Sequence, residues 1–217
     1  MNHTPFKTLL TKLLAGIAMV GATIAQANAN VTFSFTQSGG NVLMQSSGVL
    51  NTSNLLASPL NFWGGVGVET NSGGQSDIMG DTSMGNFDRT FAFNAGTDYS
   101  PWIGNMFTSS NFGWSSSGTT QFATYAFASS FRTPGIAISS ADMVGALWTP
   151  NVSWSKAGTL VSLGLTQGTY TVVDAQTHEA ITIQIGAVPE PETYAMLIAG
   201  LGVLGAISRR RKAKQTA

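Results

Sequence analysis

Histidines and cysteines, the side chains that most often act as general bases and thiol nucleophiles, are scarce in this chain. His178 is the only histidine in residues 30–187, and Asp174 precedes it by four residues. With one of the many serines, these two residues could form a Ser-His-Asp arrangement. However, residues 174–179 read as a hairpin tip between two strands, and no Gly-x-Ser-x-Gly elbow accompanies them. We therefore expect His178 to be an exposed turn residue and the protein not to be an enzyme, with a secreted hydrolase as the weaker alternative.

The acidic residues could do a second kind of chemistry. Glycoside hydrolysis needs two carboxyl groups facing one cleft, whereas the few acids here fall mainly in segments that look like loops. Residues 73–81 are Gly-rich and acidic and could offer oxygen ligands to calcium, but they fit neither the EF-hand spacing nor the Gly-Gly-x-Gly-x-Asp repeat. One histidine and no cysteine argue against zinc. We expect a solvated loop without metal or cofactor, and keep calcium at Asp77, Asp81 and Asp88 as the alternative.

The tryptophans are candidates for stacking on sugar rings. Trp102 and Trp114 lie in Gly/Ser/Asn-rich surroundings, where exposure is plausible, so they are the candidate glycan-stacking residues. Trp148 and Trp154 lie inside strand-like runs and are expected to fill the core. For the five tryptophans as a set, packing in the core or under loops is the favoured interpretation.

The elements that would position these residues read as strands. Alternation of apolar and polar residues with period two is typical of half-buried strands, and Gly-rich turn signals separate the runs. Residues 39–41 break the first two runs and predict an opening hairpin. The pattern predicts an all-β, antiparallel β-sandwich or jelly-roll-like body. Its predicted strands are residues 31–36, 42–50, 90–93, 121–127, 159–163, 168–173 and 180–185.

The rest of the body is predicted to be irregular. Residues 63–88 and 98–120 are rich in Gly, Ser and Asn and look like loops. Residues 140–147 could form one short helical turn with Ser140 as its N-cap. The chain has no cysteine, so a hydrophobic core rather than disulfides must stabilise it, and about 160 residues suffice for one domain.

The formal net charge of +0 conceals a segregation of charge along the chain. Residues 30–187 contain eight acids and three bases, which gives this part a net charge of −5. The other basic residues lie near the two ends. No basic stripe is present that could neutralise phosphates, so we expect no nucleic-acid partner.

The N-terminus has the pattern of an export signal. Lys7 and Lys12 precede an apolar run over residues 13–24, and small residues follow at the spacing that signal peptidase accepts. We place the cut after Ala29, with Ala27 as the runner-up, so that residues 1–29 are the signal peptide. A retained N-terminal membrane helix is the alternative, which the short run disfavours.

The C-terminal residues 188–217 have three parts. Pro189 and Pro191 flank Glu190 and fix an extended, acid-bearing segment. Residues 194–207 are uncharged and span about 21 Å as a helix, less than the roughly 30 Å hydrocarbon layer. Flanking groups support membrane contact all the same, because Tyr194 suits an interface and a basic stop follows Ile207. Gly200, Gly202 and Gly205 leave a smooth face for another membrane helix, and the basic stop consists of Arg209, Arg210, Arg211 and Lys212.

This tripartite tail resembles the PEP-CTERM sorting signal of Gram-negative bacteria, which membrane proteins of the exosortase family recognise. The motif corresponds to Pro189, Glu190 and Pro191, the helix to residues 194–207, and the basic end to residues 209–212. Residues 31–50 and 162–170 also look like the opening and closing strands of many such proteins. An ordinary single-pass tail anchor is the alternative.

The resemblance implies a path for the protein. Signal peptidase would first remove the N-terminal signal, and the tail would hold the chain transiently in the inner membrane. An exosortase would then process the chain. In that family the exosortase is thought to be a membrane cysteine protease or transpeptidase. The product would reach the cell surface or the extracellular matrix, where such proteins accompany exopolysaccharide and biofilm systems. The expectation is therefore an exported β-sandwich of residues 30–187 with a surface or matrix role, or alternatively a carbohydrate-binding module for the cell's own exopolysaccharide.

Overall fold

A computed structural model provides the structure of the chain. It describes residues 30–60, 62–70, 77–82, 87–104, 106–118, 121–126 and 133–186, together with Leu201. For Asp77 and Ile78 only the backbone is described. The predicted signal peptide, the sorting motif and the basic stop lie outside these residues, as does the predicted membrane helix apart from Leu201.

The described part of the chain is built from strands, with two short 3₁₀ helices at Ser100–Trp102 and Ser140–Asp142. This confirms the predicted all-β class. In chain order the strands are β1 (Asn30–Ser38), β2 (Asn41–Gly48), β3 (Leu50–Asn51), β4 (Leu56–Ala57), β5 (Gly65–Thr70), β6 (Asp77–Thr82), β7 (Arg89–Ala92), β8 (Asn111–Phe112), β9 (Ser115–Gly118), β10 (Phe122–Tyr125), β11 (Gly135–Ile138), β12 (Met143–Val144), β13 (Leu147–Trp148), β14 (Val152–Ala157), β15 (Gly168–Val173) and β16 (Ala180–Ile185).

Two large sheets and one small sheet organise these strands. The six-stranded sheet has the order β15-β16-β1-β2-β14-β9, and the seven-stranded sheet the order β4-β7-β11-β10-β6-β5-β8. A small sheet contains β12, β13 and β3. The six-stranded sheet is mixed rather than purely antiparallel, because β1 and β16 pair in parallel while its other strands pair antiparallel.

The facing sides of the two large sheets form one core. Phe33 of β1 stacks on Phe122 of β10 with ring centroids 4.6 Å apart. Period-two alternation produces this core, since Val31, Phe33 and Phe35 are buried while the residues between them are half-buried. The expected opening hairpin is confirmed, with Ser38 paired to Asn41 across the Gly39-Gly40 turn.

Two predicted loops contain strands. Residues 63–88 include β5 and β6, which pair along their full length, and residues 98–120 include β8 and β9. Gly67 explains part of the reason why a strand was predicted as a loop, because a Cβ at this position would collide with the backbone of β8. Glycine permits this close approach while weakening the sequence signal for a strand.

The predicted strand at residues 159–163 is wrong, because this segment is a turn. Thr159 and Ser162 exchange hydrogen bonds, with the Thr159 N–H donating to Ser162 Oγ at 2.8 Å and the Ser162 N–H to Thr159 Oγ1 at 3.1 Å. Side chains that bond to nearby backbone compete with strand pairing. The N-cap of the 3₁₀ helix at Ser140–Asp142 is Ser139 rather than Ser140, and the β12–β13 hairpin follows it.

Candidate functional site

The last strand determines where the C-terminal tail leaves the body. β16 lies between β15 and β1, and its parallel register with β1 runs from Asn30 beside Ala180 to Phe35 beside Ile185. Gly186 continues the pairing, since its N–H donates to Phe35 O at 2.7 Å. Because the two strands run in the same direction, Asn30 and Gly186 lie at opposite ends of the sheet.

A buried carboxylate organises the tip of the last hairpin. The β15–β16 hairpin is confirmed at residues 174–179, where the Asp174 N–H donates to Glu179 O at 2.8 Å. The Asp174 side chain is 0% exposed. It accepts hydrogen bonds from the backbone N–H of Asn94 at 2.5 Å, of Thr177 at 2.6 Å and of Gln176 at 3.0 Å. Side-chain donors of Asn94 and Thr177 add to these, so Asp174 connects the hairpin to the segment that follows β7.

The electrostatics of this tip follow from burial and from the donors. Burial raises the pKa of Asp174, but the N–H and O–H donors of Asn94 and Thr177 outweigh it and lower the pKa to about 2, from an ordinary 3.8. Glu179 shifts in the other direction, because burial raises its pKa despite a hydrogen bond from the Asn51 N–H. The Asp174 carboxyl group is therefore ionised at neutral pH and gives the hairpin tip a negative charge.

Asp174 and His178 do not form an acid–base pair. His178 is exposed, has a φ of 61°, and contacts Asp174 through its backbone N–H, which donates to Asp174 O at 3.1 Å. The Asp174 carboxylate is occupied by Asn94 and Thr177. This geometry is that of a hairpin turn, as the sequence indicated for His178, and does not orient an imidazole for catalysis.

The candidate glycan-stacking role of Trp102 and Trp114 does not fit the structure, because both rings are buried. Trp102 is 0% and Trp114 4% exposed. The Trp102 Nε1–H donates to Tyr170 O at 3.1 Å, and Trp114 packs edge-on against Phe35 with ring centroids 5.8 Å apart. Gly/Ser-rich neighbours suggested loops, but those loops fold inward and place both rings in the core. The favoured interpretation of the tryptophans as packing residues holds for all five.

The calcium alternative finds no support in the two carboxylates that are described. Asp81 lies on β6, where its Oδ2 accepts hydrogen bonds from Ser116 Oγ at 2.5 Å and Trp154 Nε1 at 3.0 Å. Asp88 accepts instead from the N–H and Oγ of Ser140, which lower its pKa. Among the described residues, no three His, Cys, Asp or Glu side chains come together as a metal site. The side chain of Asp77 is outside the description.

A polar surface that no motif in the sequence marks covers the outer side of the six-stranded sheet. Its central row crosses every strand and is half-buried or exposed throughout. Neighbouring row members pair directly, as with Ser34 beside Gln45. The row consists of Thr169, Gln184, Ser34, Gln45, Ser153 and Ser117. At the usual strand spacing it is about 24 Å long.

We call the outward positions of these six strands the hydroxyl face. None of them is charged or aromatic, and most are Ser, Thr, Asn or Gln. Four are apolar: Val173, Ala180, Leu43 and Ala157. The polar side of the alternation in residues 32–36 was the available signal, but the row becomes visible only once the strand order is known.

The remaining predicted site residues lie outside the described part of the chain. They comprise the cleavage positions Ala27 and Ala29, the motif Pro189, Glu190 and Pro191, the helix positions Tyr194, Gly200, Gly202, Gly205 and Ile207, and the basic stop. Within the ranges that are described, no helix has the length and apolar character needed to cross a membrane.

Comparison with known proteins identifies the segment that starts where β16 ends. Residues 187–212 match the family model of the PEP-CTERM protein-sorting motif, which confirms the resemblance seen in the tail. No curated protein and no solved structure matches the chain. The motif implies export, processing by an exosortase membrane enzyme and sorting towards the cell surface. Directly after its β-rich body, this chain carries a PEP-CTERM protein-sorting motif.

Proposed function

We propose that the chain is a non-enzymatic surface or matrix protein delivered by its C-terminal signal. Signal peptidase removes residues 1–29, residues 194–207 hold the chain transiently in the inner membrane, and an exosortase then cleaves the tail. The product joins the cell surface or an exopolysaccharide-containing biofilm matrix. The match of residues 187–212 to the sorting motif carries this proposal.

The position of the motif supports the proposal. The last backbone hydrogen bond of the body that is described belongs to Gly186, and the matched segment begins at the next residue. Pro189 and Pro191 lack an N–H and favour extended backbone. A segment of this kind can be bound by a protease at a small ordering cost.

Substitution of the motif tests the sorting step. Replacing Pro189, Glu190 and Pro191 by alanine should leave the full-length protein in the inner-membrane fraction, as measured by fractionation and immunoblotting. Gln215→Ala with Thr216→Ala, beyond the basic stop, is the matched control and should be processed as the unaltered chain is. Normal processing and surface delivery of the motif variant would contradict the proposal.

The hydroxyl face favours a second candidate function, binding of a neutral polysaccharide. Protein interfaces rely on Trp, Tyr and Arg anchors, and nucleic acids require basic groups; the hydroxyl face has neither. Rows of hydroxyls and amides can exchange hydrogen bonds with a polymer rich in hydroxyl groups. The absence of charge fits an uncharged glycan, while the body's net charge of −5 repels an acidic one.

Binding to an uncharged glucan such as dextran, compared with acidic alginate, tests this candidate. Gln45→Lys places a charge in the middle of the central row and should weaken dextran binding about tenfold, or 1.4 kcal/mol. Val161→Lys, on a turn outside the hydroxyl face, should leave it unchanged. If dextran does not bind, or if both variants bind alike, this function is excluded. Trp102→Ala and Trp114→Ala cannot serve as tests, because they would disrupt the core.

A further inference from the structure

We infer that, while the unprocessed chain is anchored, the end of the sandwich that carries the 159–164 turn lies against the lipid headgroups. The opposite end, with the β15–β16 tip, then points away from the membrane. This inference concerns the orientation of the body and rests on the proposed membrane anchoring of the tail.

Hydrogen bonds define the end from which the tail leaves, which we call the sorting end. Gly186 pairs with Phe35 close to the β1–β2 turn. The Gly158 N–H donates to Gly40 O at 2.9 Å, and the Leu160 N–H to Gln37 Oε1 at 3.2 Å. These bonds bring the β1–β2 turn and the 159–164 turn to the same end of the sheet as Gly186.

A second set of hydrogen bonds defines the far end. The Asn51 N–H donates to Glu179 Oε2 at 2.9 Å, at the start of β16. The Thr52 N–H donates to Ala146 O at 2.8 Å, which places the β12–β13 hairpin there as well. Asn30 begins β1 at this end. The nine residues of β1 separate the two ends by about 27 Å.

The length of the tail limits how the body can turn. Eight residues lead from Gly186 to Tyr194, where the predicted membrane helix begins. Even fully extended, they reach at most about 28 Å. The sorting end thus stays near the surface. The far end reaches it only if the tether spans about 20 Å away from the membrane, because Gly186 lies six residues from the start of β16. That arrangement uses a small fraction of the tether's conformations.

Charge does not separate the two ends. At the sorting end, residues 39–41 and 158–164 contain no charged side chain, and Val161 is 86% exposed. However, Ser110 lies next to the residues that contact this turn and bonds to Thr70, which pairs with Asp77, so carboxylates lie towards both ends. The attachment of the tail at Gly186 therefore carries the orientation.

Two single-cysteine variants test the orientation, because the chain has no cysteine of its own. Val161→Cys labels the sorting end, and Val144→Cys, at an 82% exposed position of the β12–β13 hairpin, labels the far end. Each variant of the chain retaining residues 188–217 receives a fluorophore and is reconstituted into vesicles of neutral and anionic phospholipids with spin-labelled headgroups. Quenching of the fluorophore at the sorting end should exceed quenching at the far end by about twofold or more, given the separation of the two ends.

A long Gly/Ser insertion after Ala187 provides the control and should make quenching of the two labels equal. Equal quenching without the insertion, or stronger quenching of the far-end label, overturns the orientation while leaving the anchoring intact. If the protein does not float with the vesicles, the proposed anchoring fails and the orientation fails with it.

Discussion

Asp174→Asn should destabilise the body, because it removes the charge that the buried donors surround. A pKa lowered from 3.8 to about 2 corresponds to about 2 kcal/mol at neutral pH. The amide would also place an NH₂ group against N–H donors, which adds to the loss. We expect a decrease of about 2 kcal/mol or more in the free energy of unfolding, or roughly 4–8 °C in Tm for a domain of this size.

Urea unfolding followed by tryptophan fluorescence measures this change, since all five tryptophans are buried. Asp98→Asn is the matched control. Asp98 also accepts hydrogen bonds from the N–H and Oγ of a residue two positions on, Ser100, but it does so at the surface. We expect Asp98→Asn to change the midpoint much less than Asp174→Asn.

The pH dependence gives an independent check. Because the folded pKa of Asp174 lies below its unfolded value, its contribution is present above pH 3.8 and is lost as the pH falls towards 2. The difference between the unaltered protein and Asp174→Asn should therefore shrink over this range. Glu179 is present in both proteins, so the difference isolates Asp174. Equal stabilities at pH 7, or a difference that is as large at pH 2 as at pH 7, would refute the reasoning.

Two further comparisons pair a sensitive position with a tolerant one. Gly67→Ala should cost about 2 kcal/mol or more, because its Cβ meets the backbone of β8 at a φ of +155°, whereas Gly40→Ala has open space and should be tolerated in the same urea assay. Trp154→Phe should lower the free energy of unfolding by about 1 kcal/mol more than Trp148→Phe. The reason is that Trp154 Nε1–H donates to Asp81, while Trp148 Nε1 has no partner in the described part of the chain. Equal urea midpoints within either pair of variants would contradict these assignments.

Local pattern predicted the strands whose inner positions are apolar. β1 and β16 alternate Val31, Phe33 and Phe35, and Ile181, Ile183 and Ile185, with polar residues, and both are strands. Their parallel pairing could not be predicted, because it joins the two ends of the body and depends on the whole strand order. The hydroxyl face depends on the same order.

The sequence predictions that were wrong, and the strands that were missed, have local causes. β9 has no apolar residue and is exposed along its length, and its Ser116 bonds to Asp81 instead of packing in the core. The 159–163 segment has strand-like composition, but the exchange of hydrogen bonds between Thr159 and Ser162 closes it into a turn. Trp102 and Trp114 lie among polar neighbours, yet the fold buries them. Composition describes a residue's neighbours in sequence, whereas burial depends on its neighbours in space.

The intact mass of the mature protein recovered from the cell surface tests the central claim most directly. The mass gives the sum of the residues lost at the two ends, and fragmentation of the same ion assigns each terminus. The account predicts a chain that begins at Asn30 and has lost the apolar segment 194–207 and the basic stop. A surface protein that still extends to Ala217 would contradict cleavage at the sorting signal, and with it the proposed route to the surface.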